Sequence, residues 1–166
     1  MATGSRTTTA FLVSLAINMK SLLNIESISK KDAHCVAKIE SECFSTPFKE
    51  SDILEYIDNP IWHFFVAKDE GKLVGYISFT RILDECQIVN IATTKKARCK
   101  GVGTALINAL LDFAKKNGVK KLFLEVRESN ASAINLYKKF GFLAVGVSKN
   151  HYSLPVENAI LMNLEL

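Results

Sequence analysis

Residues 86–126 read as a strand, a glycine loop, a helix and a second strand. The first strand, CQIVNIAT (86–93), is almost continuously apolar, which predicts burial on both of its faces. After the loop comes a helix from about Val102 to Lys116, with apolar residues at helical spacing and Gly118 placed to end it. The strand KLFLEV (121–126) follows. Strands separated by helices predict a mixed α/β sheet.

The rest of the chain continues this alternation. Ser29 is placed to cap a helix within residues 29–44, and Glu70-Gly71 is a tight-turn signal between two β-rich segments, typical of an antiparallel hairpin. Further predicted helices are KESDILEYI (49–57) and SNASAINLYKKF (129–140), the latter capped by Ser129 or Asn130 and ended by Gly141. The remaining predicted strands are LLNIESIS (22–29), HFFVAKD (63–69), KLVGYISFTRI (72–82), FLAVGVS (142–148) and AILMNLEL (159–166).

Length and charge limit the classes of protein. A chain of 166 residues that is 48% hydrophobic and 23% charged is most simply one globular domain, which we assign to residues 21–166. Its net charge of +4 suits an anionic small ligand or an acidic partner better than nucleic acid.

The first 20 residues differ from the rest. They contain an apolar stretch from Ala10 to Ile17 and no acidic residue. The stretch is too short to span a bilayer and lacks a clear signal-peptide cleavage site. We therefore expect an added leader, with Met19 able to begin a complete domain; organelle targeting and an extra helix are the alternatives.

The cysteines and histidines predict no metal site. Four cysteines form no CxxC pair, and three histidines complete no zinc pattern. Free thiols suit a reducing compartment, so we expect a cytoplasmic protein.

The loop RCKGVG (98–103) has the chemistry of an anion site. A helix that begins after a glycine loop presents several free backbone N–H groups at its positive end, and four basic residues lie nearby in the sequence. No Gly-Lys-Ser/Thr follows at Walker spacing, and Leu106 stands where the dinucleotide motif has glycine. Taken alone, the loop could equally be a surface turn beside solvated charges.

Several motifs follow one another between residues 90 and 142. NIAT lies on a predicted strand, R-x-x-G-x-G follows as Arg98, Gly101 and Gly103, and LFLEV and SNASAINLYKKFGF come next. Together they resemble the GNAT family of acetyl-CoA-dependent N-acetyltransferases. Within it, LEVRESNASAINLYKKFGF, CFSTPFKES and NHYSLP are most similar to the RimI-type enzymes, which acetylate protein N-termini. The resemblance extends over residues 22–166 and implies the family fold, with splayed central strands.

The resemblance also implies how acetyl-CoA binds. The coenzyme A pyrophosphate would rest on the loop, and the pantetheine arm would pair with the strand at residues 91–93 like an added strand. One backbone N–H near Ile91 could then stabilise the oxyanion. The implied cofactor-binding residues are Ile91, Ala92, Thr93, Arg98, Cys99, Lys100, Gly101, Val102, Gly103, Thr104 and Asn130.

Acetyl transfer to an amine needs a base and an acid. An α-amino group has a pKa of about 8, so a base must remove its proton before it attacks the thioester. The resemblance points to Glu125 as this base, directly or through a water, and to Tyr137 as the acid that protonates the departing thiolate. The alternatives are a solvent-side carboxylate paired with Lys or Arg for Glu125, and an aromatic packed on the sheet for Tyr137. Asn130 could cap a helix, contact the cofactor, or do both.

Three aromatic residues match positions that line the peptide entrance of RimI-type enzymes: Phe44, Phe48 and Tyr152. Each could instead pack in the core. Phe48 stands where those enzymes commonly have tryptophan, and His151-Tyr152 replaces a paired tyrosine motif, so the peptide preference is open.

Two classes of function remain. The first is an enzyme that acetylates a protein N-terminus by direct transfer, with a ribosomal protein beginning with alanine as the expected acceptor and a small amine or a lysine as the alternative. The second is a module that binds acetyl-CoA and reports it to a partner. Binding alone requires neither Glu125 nor Tyr137, which favours the enzyme. We expect no nucleic-acid or membrane partner.

Overall fold

A computed structural model describes residues 23–166; the predicted leader lies outside them. The strands are β1 (Leu23–Ser27), β2 (Trp62–Asp69), β3 (Lys72–Ile82), β4 (Glu85–Thr93), β5 (Lys121–Arg127), β6 (Leu143–Ser153) and β7 (Val156–Glu165). The α-helices are α1 (Ala33–Cys43), α2 (Glu50–Asp58), α3 (Val102–Lys116) and α4 (Ala131–Lys139). No helix between residues 23 and 166 has both the length and the apolar character needed to cross a membrane.

The strands form one sheet in the order β1-β2-β3-β4-β5-β7-β6. Only β4 and β5 pair in parallel, and α3 connects them; the other neighbours are antiparallel. The predicted hairpin is confirmed: Asp69 pairs with Lys72, and Glu70 and Gly71 have φ of 48° and 77°, the positive values that a tight two-residue turn requires. The mixed α/β fold is therefore as expected.

Helices cover both faces of the sheet. Ile77 packs with Leu106 and Leu110 of α3, whereas its neighbour Tyr76 packs with Val36 of α1 and Ile53 of α2. Adjacent residues of a strand point to opposite faces. The resemblance implies cofactor-binding residues at the start of α3 and acceptor-binding residues beside α1 and α2, so the α3 and α4 side is hereafter called the cofactor face and the α1 and α2 side the acceptor face.

The pairing of β4 with β5 stops halfway along both strands. Its register runs from Glu85 opposite Lys121 to Ile88 opposite Leu124, although both strands continue. At the same point β4 has a bulge against β3, because Phe79 pairs with Ile88 and Ser78 with Asn90, which leaves Val89 without a partner. The Asn90 N–H donates to the buried Ser78 Oγ at 3.2 Å. The two central strands therefore splay apart beyond the bulge.

Two expectations differ from the structure. Ala92 is buried, but Val89 and Ile91 are only half-buried because β5 no longer covers β4 beyond the bulge. The last two strands are longer than predicted, since Tyr152 pairs with Glu157 and extends the hairpin into the polar segment KNHYS. A search for apolar alternation misses such a segment because its residues are polar and none of them is buried.

Gly75 of β3 lies where β3, β4 and α3 meet, and we expect Gly75→Ala to destabilise the fold by about 2 kcal/mol. An added Cβ would lie 2.9 Å from Val102 Cγ1 and 3.0 Å from the Ala92 carbonyl oxygen, which belongs to the backbone and has little room to move. Chemical denaturation measures the change. Gly146→Ala is the matched control, since its Cβ would meet only Leu161 Cδ1 at 3.4 Å. Equal losses in the two variants would contradict the steric explanation.

Candidate active site

The splay leaves backbone groups of β4 without a strand partner. The Thr94 N–H donates to the Val74 carbonyl at 2.8 Å, so the backbone groups of Thr94 face β3. Backbone groups alternate sides along a strand, so those of Ile91 and Thr93 face the opening between β4 and β5. An extended ligand with its own donors and acceptors can pair there.

The loop before α3 lies next to the end of β4. Cys99 and Gly101 have φ of 60° and 81°, and Gly101 is the N-cap residue of α3. In the described part of the chain no side chain caps this helix, and its first turn is without acidic residues. Val102, the first residue of α3, is 4% exposed and anchors the loop in the core. The first N–H groups of α3 are therefore donors of the kind that bind a phosphate, while the nearby Arg98 directs one guanidinium nitrogen to Cys43 Sγ at 4.0 Å.

Glu125 lies on β5 beside the opening. Its neighbours Leu124 and Val126 are buried on the cofactor face, so Glu125 points to the acceptor face. Its side chain is 38% exposed, and Oε2 lies 3.0 Å from Nε2 of His151. The partner of this carboxylate is therefore a histidine of β6, and not the lysine or arginine considered from the sequence.

Tyr137 lies on α4 and is 4% exposed. Burial, and to a smaller extent the nearby Tyr152, raises its pKa well above the ordinary value, so the phenol keeps its proton at neutral pH. Its ring centroid is 5.5 Å from that of Phe142. Tyr137 thus packs in the core and carries its proton at neutral pH. At the start of the same helix, Asn130 Oδ1 accepts from the Ala133 N–H at 3.1 Å, as expected of the cap.

The three predicted acceptor residues all lie on the acceptor face, in different surroundings. Phe48 packs edge-on against Tyr56 and Trp62, with centroids 5.3 and 6.0 Å away, and Phe44 is half-buried in the same apolar cluster. Both are therefore partly core residues. Tyr152 lies under the Arg127 guanidinium, whose carbon is 4.1 Å from the ring centroid.

Arg127 joins the two segments that border the acceptor side of the opening, and no role was predicted for it. One guanidinium nitrogen donates to Ser45 Oγ of the α1–α2 loop at 3.2 Å and to the Leu154 carbonyl at 2.9 Å. The other donates to Glu157 Oε2 at 3.1 Å. The alternation of β5 places Arg127 on the face of Glu125, a signal that was present in the sequence.

Glu40 of α1 is a buried acid that the sequence analysis also missed. Its Oε1 accepts from the Tyr76 hydroxyl and from Asn90 Nδ2, the latter at 2.7 Å, and its Oε2 accepts from the Phe48 N–H at 3.0 Å. The side chain is 0% exposed, and burial raises its pKa despite these three donors. Glu40 thus ties the α1–α2 loop to β4 at the bulge.

Within residues 23–166, His, Cys, Asp and Glu side chains form no group that could hold a metal ion.

The sequence of the chain matches known proteins. The model of the Acetyltransferase (GNAT) family matches residues 33–142. The ribosomal protein bS18-alanine N-acetyltransferase of Escherichia coli (strain K12) is 32% identical over 144 residues, which cover 86% of this chain and 97% of that protein.

Solved structures agree with this match. The crystal structure of the ribosomal-protein-S18-alanine N-acetyltransferase from Escherichia coli superposes with a TM-score of 0.79 at 32% identity, over 86% of this chain and 93% of that one. Ard1 from Thermoplasma volcanium gives 0.80 at 30% identity, over 87% and 98%. With a family match over most of the domain and the same fold in its solved relatives, the chain belongs to the GNAT family of N-acetyltransferases.

Proposed function

We propose that this enzyme transfers the acetyl group of acetyl-CoA directly to the α-amino group of a protein N-terminus, with a ribosomal protein that begins with alanine as the acceptor. The observation that carries the proposal is the opening between β4 and β5, with the phosphate-fitting loop at the end of β4 and Glu125 beside it on the acceptor face. A cofactor and an amine can thus reach the opening from opposite faces of the sheet.

The loop and β4 are the proposed cofactor site. Acetyl-CoA, when bound, supplies the acetyl group as a thioester. The N–H groups around Gly101 and Gly103 bind its pyrophosphate, assisted by Arg98, and the Ile91 and Thr93 backbone pairs with its pantetheine arm. The Ile91 N–H is the donor that we assign to the oxyanion.

Glu125 and Tyr137 are the proposed proton-transfer residues. Glu125 removes the proton of the ammonium group, directly or through a water, so that the free amine can attack. Tyr137, protonated at neutral pH, gives its proton to the departing thiolate, and the second proton that the amine nitrogen loses as the amide forms returns to Tyr137. No acetylated side chain is needed in this direct transfer.

The acceptor is proposed from the aromatic residues on the acceptor face and from the relatives. Tyr152, Phe44 and Phe48 border the acceptor face, where an extended N-terminus offers only its amine, its backbone and small first side chains for recognition. The relative from Escherichia coli is named for the alanine terminus of ribosomal protein bS18. Identity at this level supports the same class of acceptor.

Coenzyme A release tests the function. We expect the purified chain to release coenzyme A from acetyl-CoA with a short peptide that begins with alanine, and not with the same peptide whose N-terminus is blocked. Mass spectrometry of the product locates the acetyl group. Acetylation of an internal lysine would contradict the N-terminal acceptor, and tight acetyl-CoA binding without turnover on any amine would favour the binding module.

A further inference from the structure

Acetyl transfer from a thioester to an ammonium group releases one proton. The ammonium form of the acceptor and the thioester yield an amide, a thiol and H⁺, so the base must pass one proton to water in every turnover. Glu125 is the proposed base, and a bound peptide on the acceptor face would cover its direct access to solvent. A route for this proton is therefore part of what the site requires.

His151 lies on such a route. Its Nε2 is 3.0 Å from Glu125 Oε2, and its side chain is 33% exposed. The other ring nitrogen, Nδ1, lies 3.5 Å from Ser148 Oγ, which belongs to the same outer strand, β6. The imidazole thus has one nitrogen toward the base and the other toward the edge of the sheet.

The groups that face His151 come from several neighbouring elements. Glu125 comes from β5, and Glu157 from β7 lies close to Tyr152, whose ring centroid is 4.8 Å from that of His151. The nearest cation, Arg127 of β5, is already paired with Glu157 at 3.1 Å. The remaining titratable group of this cluster, Tyr137 of α4, is neutral at neutral pH.

We propose that His151 relays the amine proton from Glu125 to solvent. Glu125 accepts the proton from the ammonium group, and its carboxyl O–H donates that proton to Nε2 of neutral His151, whose own proton is then on Nδ1. The imidazolium loses its Nδ1 proton to water, so Glu125 is again a carboxylate, and exchange with water returns the ring proton from Nε2 to Nδ1 before the next turnover. His151 acts through Glu125 and is a positioning and relay residue, an inference that rests on the proposed function.

A second histidine–glutamate pair provides a matched control. His34 Nδ1 lies 2.9 Å from Glu50 Oε2, and it links the beginnings of α1 and α2. The side chains of His34 and Glu50 are 77% and 49% exposed. Replacing His34 with glutamine therefore removes a similar histidine–glutamate contact, here on the surface. His34 has no proposed part in the chemistry.

The experiment compares His151→Gln, His151→Ala and His34→Gln in the coenzyme A release assay with the alanine peptide. Glutamine can still hydrogen-bond to Glu125 but cannot carry a proton, so we expect kcat to fall about tenfold with little change in KM for either substrate. Imidazole added to the buffer should restore much of the activity of His151→Ala. His34→Gln should behave as the unaltered enzyme.

Two results would overturn the relay. An unaltered kcat in His151→Gln would mean that His151 only holds Glu125 in place. A loss of kcat in His151→Ala that added imidazole does not relieve would mean the same. If the unaltered enzyme fails to acetylate the free-amine peptide, the proposed function fails and the relay with it. Turnover of that peptide by both the unaltered enzyme and His151→Gln at the same rate refutes the relay alone.

Discussion

We expect Glu125→Gln to lower kcat by about 10²-fold, the scale of a lost general base. Glutamine has nearly the same shape and can still hydrogen-bond to His151, so the loss reports proton removal and not a change in packing. Coenzyme A release with the alanine peptide gives kcat, and equilibrium binding of acetyl-CoA gives the affinity. We expect that affinity to stay the same, because Glu125 points to the acceptor face and the cofactor loop lies at the end of β4.

Glu128→Gln is the control for this substitution. Glu128 follows β5 directly, is exposed, and accepts from Asn158 Nδ2 at 3.1 Å. The same loss of a carboxylate there should leave kcat unaltered. A full rate in Glu125→Gln, with the cofactor still bound, would show that another group or water removes the proton.

Glu40→Ala lowers the free energy of unfolding by about 3 kcal/mol, because it leaves buried donors without an acceptor. The Tyr76 hydroxyl, the Asn90 amide and the Phe48 N–H all donate to this one carboxylate. Chemical denaturation measures the loss. Glu42→Ala is the matched control, since Glu42 is exposed on the same helix and should change stability little. A similar small loss in both variants would contradict the structural role of Glu40.

Glu40 also adds a pH dependence of known sign. Its pKa is raised in the folded chain, so the folded state binds this proton more readily than the unfolded state. The stability that Glu40 contributes is complete below its ordinary pKa and falls as the pH rises through the raised value. The free energy of unfolding of the unaltered chain, minus that of Glu40→Gln, should therefore decrease as the pH rises from about 4. A difference that increases over this range would contradict the assignment.

Local signals predicted several elements correctly. Helix α3 has the predicted bounds, Val102 to Lys116, because its apolar spacing, a glycine at its start and Gly118 at its end all act within the segment itself. Gly118 has φ of 66°, the left-handed conformation that such a helix end uses. The Glu70-Gly71 turn was predictable for the same reason, since two residues determine its geometry.

Contacts between distant segments were not predictable in this way. The bulge at Val89 depends on how β3 and β4 align, and the burial of Glu40 depends on Tyr76 and Asn90, which are 36 and 50 residues away. His151 was noticed as a departure from the paired tyrosine motif, but its contact with Glu125 arises because β7 lies between β5 and β6. The local pattern determines which helix or strand a residue belongs to, whereas the order of the strands in the sheet determines which distant residues come into contact.

The halfway end of the β4–β5 pairing gives this sheet an internal edge in addition to its two outer ones, β1 and β6. Exposed strand edges invite pairing with other chains, and proteins usually blunt them. Here the half of β4 beyond Val89 lies between two layers of helices. The Cys43 Sγ of α1 lies 3.8 Å from the Thr93 carbonyl oxygen in this half of the strand. An unpaired edge in that position admits a single narrow, extended molecule and is shielded from another sheet. The helices on both faces therefore protect the protein from aggregating through the edge that the interrupted pairing leaves open.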